Sequence, residues 1–321
     1  MSLYQKGVFL VKGLREFTKS GYIAAEKSFN AKDLGVDVKG RSYMITGSNS
    51  GIGKSAAIEI AKKGGTIHMV CRNSERADKA KDEIVTASGN QDVHVHILDM
   101  SKLSEVHKFA HEFSTKQEKL DTLINNAGCM VNDRTMTSDN LEMNFATNTM
   151  GTYVLTISLL PLLKKASKPR VITVSSGGMY IQKLNVKNLQ SEHNFSGELA
   201  YAHNKRQQVI LTEELAKLHP DVHFSTMHPG WADTPAVRSS MPDFHRQMGS
   251  RLRSPEQGAD TIVWLALSNM ALEQKSGQFF LDRKSQALHL PLAWTRESAS
   301  ERAKFMEKID EILTQTKPSD L

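Results

Sequence analysis

Tyr201 and Lys205 are the residues whose types and spacing first point to chemistry. Four positions apart on a helix, their side chains lie on one face, about one turn from each other. A phenol has a pKa near ~10 and is a poor acid or base at neutral pH unless a nearby cation stabilises the phenolate. Lowering that pKa to about 7 requires roughly 4 kcal/mol, which one exposed Lys cannot supply but a second positive charge in a dry site could. The alternative is an ordinary pair on a helix surface, with no role.

Composition restricts the class of protein. The chain has 321 residues, 39% of them hydrophobic, and a net charge of +6 carried by scattered basic residues. This balance is typical of a globular protein and provides no basic patch for nucleic acid. Cys71 and Cys129 are the two cysteines, and no Cys/His pair has the spacing of a zinc site. We therefore expect no disulfide framework, no metal site and a reducing compartment.

Residues 1–39 are predicted to form a basic amphipathic extension. Apolar residues recur at helical spacing between Lys6, Lys12, Arg15 and Lys19. Such a helix could contact a membrane interface through residues 1–20, or it could dock on the body of the protein or on a second subunit, as in a homodimer. No apolar run reaches the ~20 residues of a membrane span, and no cleavage site follows the first apolar residues. We therefore expect a cytoplasmic protein, peripheral to a membrane at most and not secreted.

A glycine-rich turn follows the first predicted strand, residues 42–46. Gly47, Gly51 and Gly53 lead from that strand into a helix, which is the setting of a phosphate-binding loop. Gly47 allows a tight turn, Gly51 lets the backbone approach a pyrophosphate, and Gly53 lets the helix pack closely on the strand. The spacing is G-x-x-x-G-x-G, which differs from the commoner G-x-G-x-x-G. The turn therefore predicts a dinucleotide-binding site.

The second strand, residues 66–71, is followed by Arg72 and not by an acidic residue. An acid at this point would hold the ribose 2′-hydroxyl of NAD, whereas an Arg can bind a 2′-phosphate through paired hydrogen bonds. This favours NADP(H) and leaves NAD(H) open. The alternative is that Arg72 stacks on the adenine or faces water. Asp99 follows the third strand, where it could accept from the adenine amino group or simply start a turn.

Strands and helices alternate from residue 40 to residue 285. This alternation predicts an α/β fold, with a single Rossmann-like, doubly wound parallel sheet of about seven strands and helices on both faces. Residues 286–321 form a tail that contains one further helix. The ligand should bind where the strands end, and Asn126 and Ser176 follow two of those ends.

Six motifs, in chain order, resemble those of the short-chain dehydrogenase/reductase family, and within it the retinol-dehydrogenase-like branch. They are residues 46–53, 125–128, 148–151, 175–176, 201–205 and 229–234.

The resemblance implies catalytic roles for the matching positions. Tyr201 would exchange a proton with the substrate oxygen, and Lys205 would lower the pKa of Tyr201 and hold the nicotinamide ribose. Ser176, in preference to Ser175, would hydrogen-bond the substrate oxygen. Asn148 would hold a water in the proton relay from Lys205.

The resemblance also implies cofactor contacts beyond the three glycines and Arg72. Ser50 and Ile52 would lie against the pyrophosphate and ribose, Asn126 against the ribose and Asp99 against the adenine, while Thr234 would anchor the carboxamide. The sequence departs from the family at the position before Lys205, where a small residue is common. Asn204 stands there, and it is either benign or crowds the helix face near the cofactor.

The function that follows is an NAD(P)(H)-dependent oxidoreductase that interconverts an alcohol and its carbonyl. Residues 232–253 are expected to cover a small, lipophilic substrate because they contain flexible apolar side chains. The alternative is a catalytically silent scaffold or sensor that binds the cofactor and docks through its N-terminal helix.

Overall fold

A computed structural model describes residues 3–321, and an eight-stranded sheet forms its centre. The strands are β1 (Ser42–Thr46), β2 (Thr66–Cys71), β3 (Val93–Ile97), β4 (Thr122–Asn125), β5 (Arg170–Val174), β6 (His223–Met227), β7 (Gln278–Leu281) and β8 (Lys284–Ser285). They lie side by side in the order β3-β2-β1-β4-β5-β6-β7-β8. β1 to β7 are parallel and β8 is antiparallel to β7. The predicted α/β fold with a parallel sheet is therefore confirmed, and β8 adds an edge strand that two exposed polar residues do not predict.

Helices connect the strands and extend both ends of the chain. The α-helices are α1 (Leu3–Lys12), α2 (Lys19–Glu26), α3 (Gly51–Ala61), α4 (Ser74–Ser88), α5 (Leu103–Lys116), α6 (Thr152–Leu163), α7 (Gly197–Leu218), α8 (Pro235–Ser240), α9 (Pro242–Met248), α10 (Pro255–Leu267), α11 (Asn269–Leu272) and α12 (Ala299–Gln315). π-helical turns span Gly13–Phe17 and Phe145–Gly151, and short 3₁₀ turns span Ala31–Leu34, Gly177–Ile181, Val186–Asn188 and Gly249–Arg251. None of the helices within residues 3–321 combines the length and apolar character needed to cross a bilayer.

Each face of the sheet carries its own apolar layer. Consecutive residues of β1 point to opposite faces of the sheet, so their side chains belong to different apolar layers. Met44 belongs to the cluster formed with α5, α6 and α7. Ile45 belongs to the cluster formed with α3, α4 and α10. This doubly wound arrangement brings the carboxyl ends of β1, β4, β5 and β6 to one edge of the sheet.

The N-terminal segment, residues 3–26, docks on the body of the protein at that edge. Phe17 is fully buried in a third apolar cluster, where its ring lies edge-on to His228 and to Trp231 at centroid distances of 4.4 and 5.6 Å. The buried Arg253 donates to the carbonyl oxygens of Glu16 and Phe17 and forms an ion pair with Asp282. A charged group that satisfies two carbonyls at the end of a helical turn holds the segment firmly.

Candidate active site

Gly128, just after β4, marks the point where the predicted catalytic residues converge. A Cβ atom at Gly128 would lie 3.1 Å from Asn148 Oδ1 and 3.5 Å from Lys205 Nζ. β4, the π-turn before α6, and α7 therefore meet here. A larger residue at this position would press on both polar side chains.

Lys205 is buried, with only 3% of its surface exposed. Its Nζ donates to the Val174 carbonyl oxygen at 2.8 Å and to Gln208 Oε1 at 3.0 Å. The same Nζ lies 5.3 Å from the centroid of the Tyr201 ring. Burial without an acidic partner lowers the pKa of Lys205 from 10.5 to about 7.

Tyr201 and Ser176 are neighbours on the side of the site that remains partly open. Both residues are half-buried. Burial raises the pKa of Tyr201 to about 12, and a hydrogen bond with Ser176 acts in the opposite direction. Ser176 Oγ also accepts from the Gly178 amide at 3.1 Å. Ser175 is buried instead, and its Oγ donates to the Lys205 carbonyl oxygen at 2.9 Å, so it fixes α7 against β5.

Asn148 is completely buried, and its side chain clamps the backbone of Cys129. Its Oδ1 accepts from the Cys129 amide and its Nδ2 donates to the Cys129 carbonyl, both at 2.9 Å. The Asn148 carbonyl oxygen accepts from Gln208 Nε2 at 2.7 Å. Gln208 therefore links this carbonyl to Lys205, along the route where the family resemblance implies a water. The relay water stays a prediction.

Gln208 is a site residue that the sequence reasoning misses. It is 1% exposed and lies one helical turn after Lys205 on α7. The available signal was the pair of glutamines, Gln207 and Gln208, directly before the apolar run at residues 209–211, since a buried amide needs a specific partner. Asn204 is equally buried, and its amide lies 3.3 Å from those of Asn148 and Gln207. Its side chain thus joins α7 to the Asn148 turn, and its effect on the helix face near the cofactor stays a prediction.

The glycine turn forms a cradle that has no room for side chains. Gly47 and Gly51 have φ of +67° and +54°, which L-residues seldom adopt. A Cβ at Gly53 would lie 2.4 Å from Asn126 Nδ2. That Nδ2 donates to the carbonyl oxygens of Thr46 at 2.9 Å and Gly47 at 3.2 Å, so Asn126 ties the end of β4 to the turn. Its contact with a ribose stays a prediction.

The residues around the cradle fit a bound dinucleotide. Ser50 precedes α3 without a capping hydrogen bond from its side chain, which leaves a hydroxyl beside the first amides of the helix. Thr234 accepts from the Val237 amide at 3.2 Å, and its Cγ2 is 3.2 Å from where a Cβ of Gly51 would be. Thr234, which directly precedes α8, therefore lies against the glycine turn. Ile52 instead packs against Gly258 of α10, so its side chain supports the helix.

Arg72 and Asp99 lie at the ends of neighbouring strands, as a nucleotide site requires. Arg72 is exposed directly after β2. Asp99 is half-buried after β3, and its Oδ1 accepts from the Ser101 amide at 3.0 Å and from the Ser101 hydroxyl at 2.8 Å. The turn interpretation of Asp99 thus has direct contacts, and the adenine contact stays a prediction. Within residues 3–321, no cluster of three His, Cys, Asp or Glu side chains could hold a metal ion.

The fold is that of the dinucleotide-binding α/β class, and sequence comparison assigns the chain to a family of oxidoreductases. The model of the short chain dehydrogenase family matches residues 41–243. The chain belongs to this family, whose members bind NAD(P). It is 57% identical over 313 residues to dehydrogenase/reductase SDR family member 12 of Bos taurus, covering 97% of this chain and 98% of that relative.

More distant relatives and solved structures agree with this assignment. Human retinol dehydrogenase 11 is 36% identical over 253 residues, which cover 77% of this chain and 79% of that protein. Among solved structures, a short chain dehydrogenase from Escherichia coli CFT073, in complex with NADPH, superposes with a TM-score of 0.63 at 23% identity. That match covers 79% of this chain and all of the other, and it supports the fold.

Proposed function

We propose that this chain is an NADP(H)-dependent oxidoreductase that interconverts an alcohol and its carbonyl. The observation that carries the proposal is the grouping of Ser176 with Tyr201, whose ring centroid lies 5.3 Å from the Lys205 ammonium nitrogen. Two neighbouring hydroxyl groups can both reach one substrate oxygen, and proton transfer to or from that oxygen needs such an arrangement.

The glycine cradle would hold the pyrophosphate of the dinucleotide. Ser50 and the first amides of α3 supply donors there, and Thr234 would anchor the carboxamide across the opening. Arg72 would bind the 2′-phosphate of NADP(H), for which the exposed guanidinium beside β2 is suited. The E. coli neighbour was solved with NADPH, in keeping with this choice. When bound, the nicotinamide supplies the site that accepts or donates the hydride.

The chain's own residues would manage the proton and the developing charge. Tyr201 takes the proton from the substrate hydroxyl during oxidation and returns it to the carbonyl oxygen during reduction. Ser176 donates a hydrogen bond to the same oxygen as negative charge develops. Lys205, when protonated, favours the phenolate of Tyr201. Asn148 fixes the Cys129 backbone, which keeps the wall of the site in place.

The proposed substrate is lipophilic. Trp231 follows the end of β6, the strand next to β5, and its ring lies edge-on to Phe244 at 5.3 Å. Phe9 of α1 packs on the same tryptophan at 6.5 Å. Aromatic side chains from three segments thus pack together beyond the end of β6, the strand next to β5, and such an apolar cluster suits a hydrophobic aldehyde, ketone or alcohol.

Turnover with a catalytic variant tests this proposal. Purified wild-type protein should oxidise NADPH in the presence of some members of a panel of hydrophobic aldehydes and ketones. Tyr201→Phe should lower kcat at least ~10²-fold while NADPH still binds. The matched control is Tyr180→Phe, which removes a buried phenol that donates to Ala287 outside the site and should leave turnover close to wild type. If NADPH binds tightly but the wild type turns over nothing on a broad panel, the scaffold alternative is favoured.

The cofactor choice has its own test. Arg72→Ala should weaken NADPH binding by about tenfold to hundredfold, because a charge-assisted hydrogen-bonded pair is lost, and should leave NADH binding unchanged. Arg76→Ala, one turn along α4 and equally exposed, is the control. Tighter binding of NADH than of NADPH, with no effect of Arg72→Ala on either, would show that NADP(H) is the wrong choice.

A further inference from the structure

Helix α1 is apolar on two sides, and only one of them is used. Val8 and Phe9 pack against the third apolar cluster, which includes Phe17 and Tyr180. On the other side, Tyr4 and Val11 of α1 are 51% and 66% exposed, two helical turns apart, and Leu14 of the following π-helical turn is 39% exposed. A docked helix normally presents polar residues to water, so this second apolar side needs a separate explanation.

The loop after β8 extends that surface. The Gln5 side chain donates to the Ala293 carbonyl, which places the loop beside α1. Ala293 is buried in the third apolar cluster, whereas Leu292 and Trp294 on either side of it are 67% and 83% exposed. Both flanking residues have φ of +53°, a left-handed backbone that bulky residues seldom adopt. Their side chains are thus directed outward while the alanine anchors the loop.

We infer that this surface binds an anionic phospholipid membrane. The outer apolar face consists of Tyr4, Leu10, Val11, Leu14, Leu292 and Trp294. An amphipathic helix lies in the membrane interface when an apolar stripe and basic side chains are presented together. Tryptophan suits the same interface because its ring is apolar and its N–H is polar.

The charge around the face selects the occupant. Lys6, Arg15, Lys19 and Arg296 are exposed, and none of them forms an ion pair within residues 3–321. The nearby Glu16 is already paired with Lys12. A second copy of the chain, docked through the same face about a two-fold axis, would bring these cations against each other. A layer of anionic headgroups supplies the opposite charge, so the surface fits a lipid bilayer better than a homodimer.

Point substitutions are the appropriate test, because removing residues 1–38 would also remove the buried Phe17 and the carbonyls bound by Arg253. The full chain should float with vesicles of phosphatidylcholine containing roughly one-third phosphatidylserine, less with phosphatidylcholine alone, and less at high salt. Val11→Ser and Trp294→Ser should each weaken binding by about tenfold, the value expected for one buried apolar side chain. Arg15→Gln combined with Lys19→Gln should reduce binding only to the anionic vesicles.

Matched controls stand elsewhere on the chain. Leu218→Ser removes a leucine that is 63% exposed at the end of α7, and Lys217→Gln removes a cation beside it that is 64% exposed. Neither should change flotation. Tryptophan emission offers a second readout, because Trp264 is buried and Trp231 is packed among rings. Vesicles should therefore shift the emission of Trp294 to shorter wavelength, and Trp294→Phe should remove the shift.

Several results would overturn the inference. The first is that the wild type does not float with anionic vesicles, and the second is that Leu218→Ser and Val11→Ser lose flotation equally. The third is a dimer in solution that Trp294→Ser dissociates, while vesicles bind neither the dimer nor the variant. The last result would assign the face to a second copy of the chain. Flotation needs no turnover, so the membrane inference and the proposed reaction can fail separately.

Discussion

Replacing Lys205 with Met should stabilise the protein in the absence of cofactor, although it removes a residue proposed to act in the reaction. The folded chain holds the Lys205 ammonium without an acidic partner, and its pKa falls from 10.5 to about 7. At ~1.36 kcal/mol per pH unit, this difference destabilises the folded state by about 4 kcal/mol at pH 7. Methionine forfeits the two hydrogen bonds to Val174 and Gln208, which offsets about 2 kcal/mol of that. The expected net gain is about 2 kcal/mol.

The gain should shrink as the pH rises. Between pH 7 and 10.5 the unfolded chain keeps the Lys205 proton that the folded chain has released. Stability of the wild type therefore increases with pH through this group, and full stability is reached above pH 10.5. The Met variant lacks this dependence. At pH 9 about 2 kcal/mol of the wild-type penalty has disappeared, so the two proteins should be nearly equally stable.

Urea unfolding at pH 7 and pH 9, without nucleotide, measures both effects. The control is Lys217→Met on the same helix, which removes an exposed lysine paired with Glu214 and should change stability by no more than about 0.5 kcal/mol. The reasoning is refuted if Lys205→Met destabilises the protein at pH 7, or if its gain is the same at both pH values.

Three further predictions concern buried groups. His68 and His203 are buried, and burial lowers their pKa values from 6.5 to about 3 and about 4. The free energy of unfolding should therefore fall by about 2 kcal/mol for each histidine between pH 6.5 and pH 5, because the unfolded chain takes up protons that the folded chain does not. Urea midpoints check this, and His68→Phe should reduce the fall; equal stability of the wild type at pH 7 and pH 5 would contradict it. Gly53→Ala should lower the free energy of unfolding by about 1–3 kcal/mol and weaken NADPH binding, because the new Cβ would lie 2.4 Å from the side-chain amide of Asn126. Urea unfolding and nucleotide titration of the variant measure the two effects. An unchanged NADPH affinity would argue against the glycine cradle. Gln208→Leu should destabilise the protein by about 2 kcal/mol, because it leaves the Asn148 carbonyl and the Lys205 ammonium each short of one hydrogen-bond partner. The sign is opposite to that expected for Lys205→Met. A thermal shift of the same sign in both variants would contradict this.

The sheet could be predicted because its strands are short apolar runs that end in turn residues. β1 and β2 have the predicted bounds, residues 42–46 and 66–71. β8 could not be predicted, since Lys284 and Ser285 are exposed and take their place from pairing with β7. Local pattern specifies a buried strand, whereas an exposed edge pair is specified by its neighbour in space.

Docking of the N-terminal segment shows where a helical pattern stops being informative. Apolar residues on two sides of α1 give the same periodicity whether the helix meets the protein, a membrane or both. The residue that decides the docking is Arg253, more than two hundred positions away in sequence, where it satisfies carbonyls at the end of the Gly13–Phe17 turn. A single arginine in a loop carries no signal of such a contact in the sequence. The periodicity predicted a helix, but it could not predict that the inner side of that helix packs against the body of the protein.

The charge state of the central pair changes the question that the sequence posed. The sequence suggested a phenol whose pKa an exposed lysine lowers too little. In the structure both groups are driven toward their neutral forms, with the pKa of Tyr201 raised to about 12 and that of Lys205 lowered to about 7. The cause in each case is burial, and the proximity of the Lys205 nitrogen, 5.3 Å from the ring centroid, does not offset it.

Under the proposed function, the resting site is therefore short of charge on both residues, and the Lys205 amine must gain a proton before it can favour a phenolate. The same burial that destabilises Lys205 also makes its interaction with Tyr201 strong once it is charged, because a water-poor site screens charges weakly. Stability lost at Lys205 and proton transfer at Tyr201 are thus two consequences of one buried position, and the Lys205→Met and Tyr201→Phe variants measure them separately.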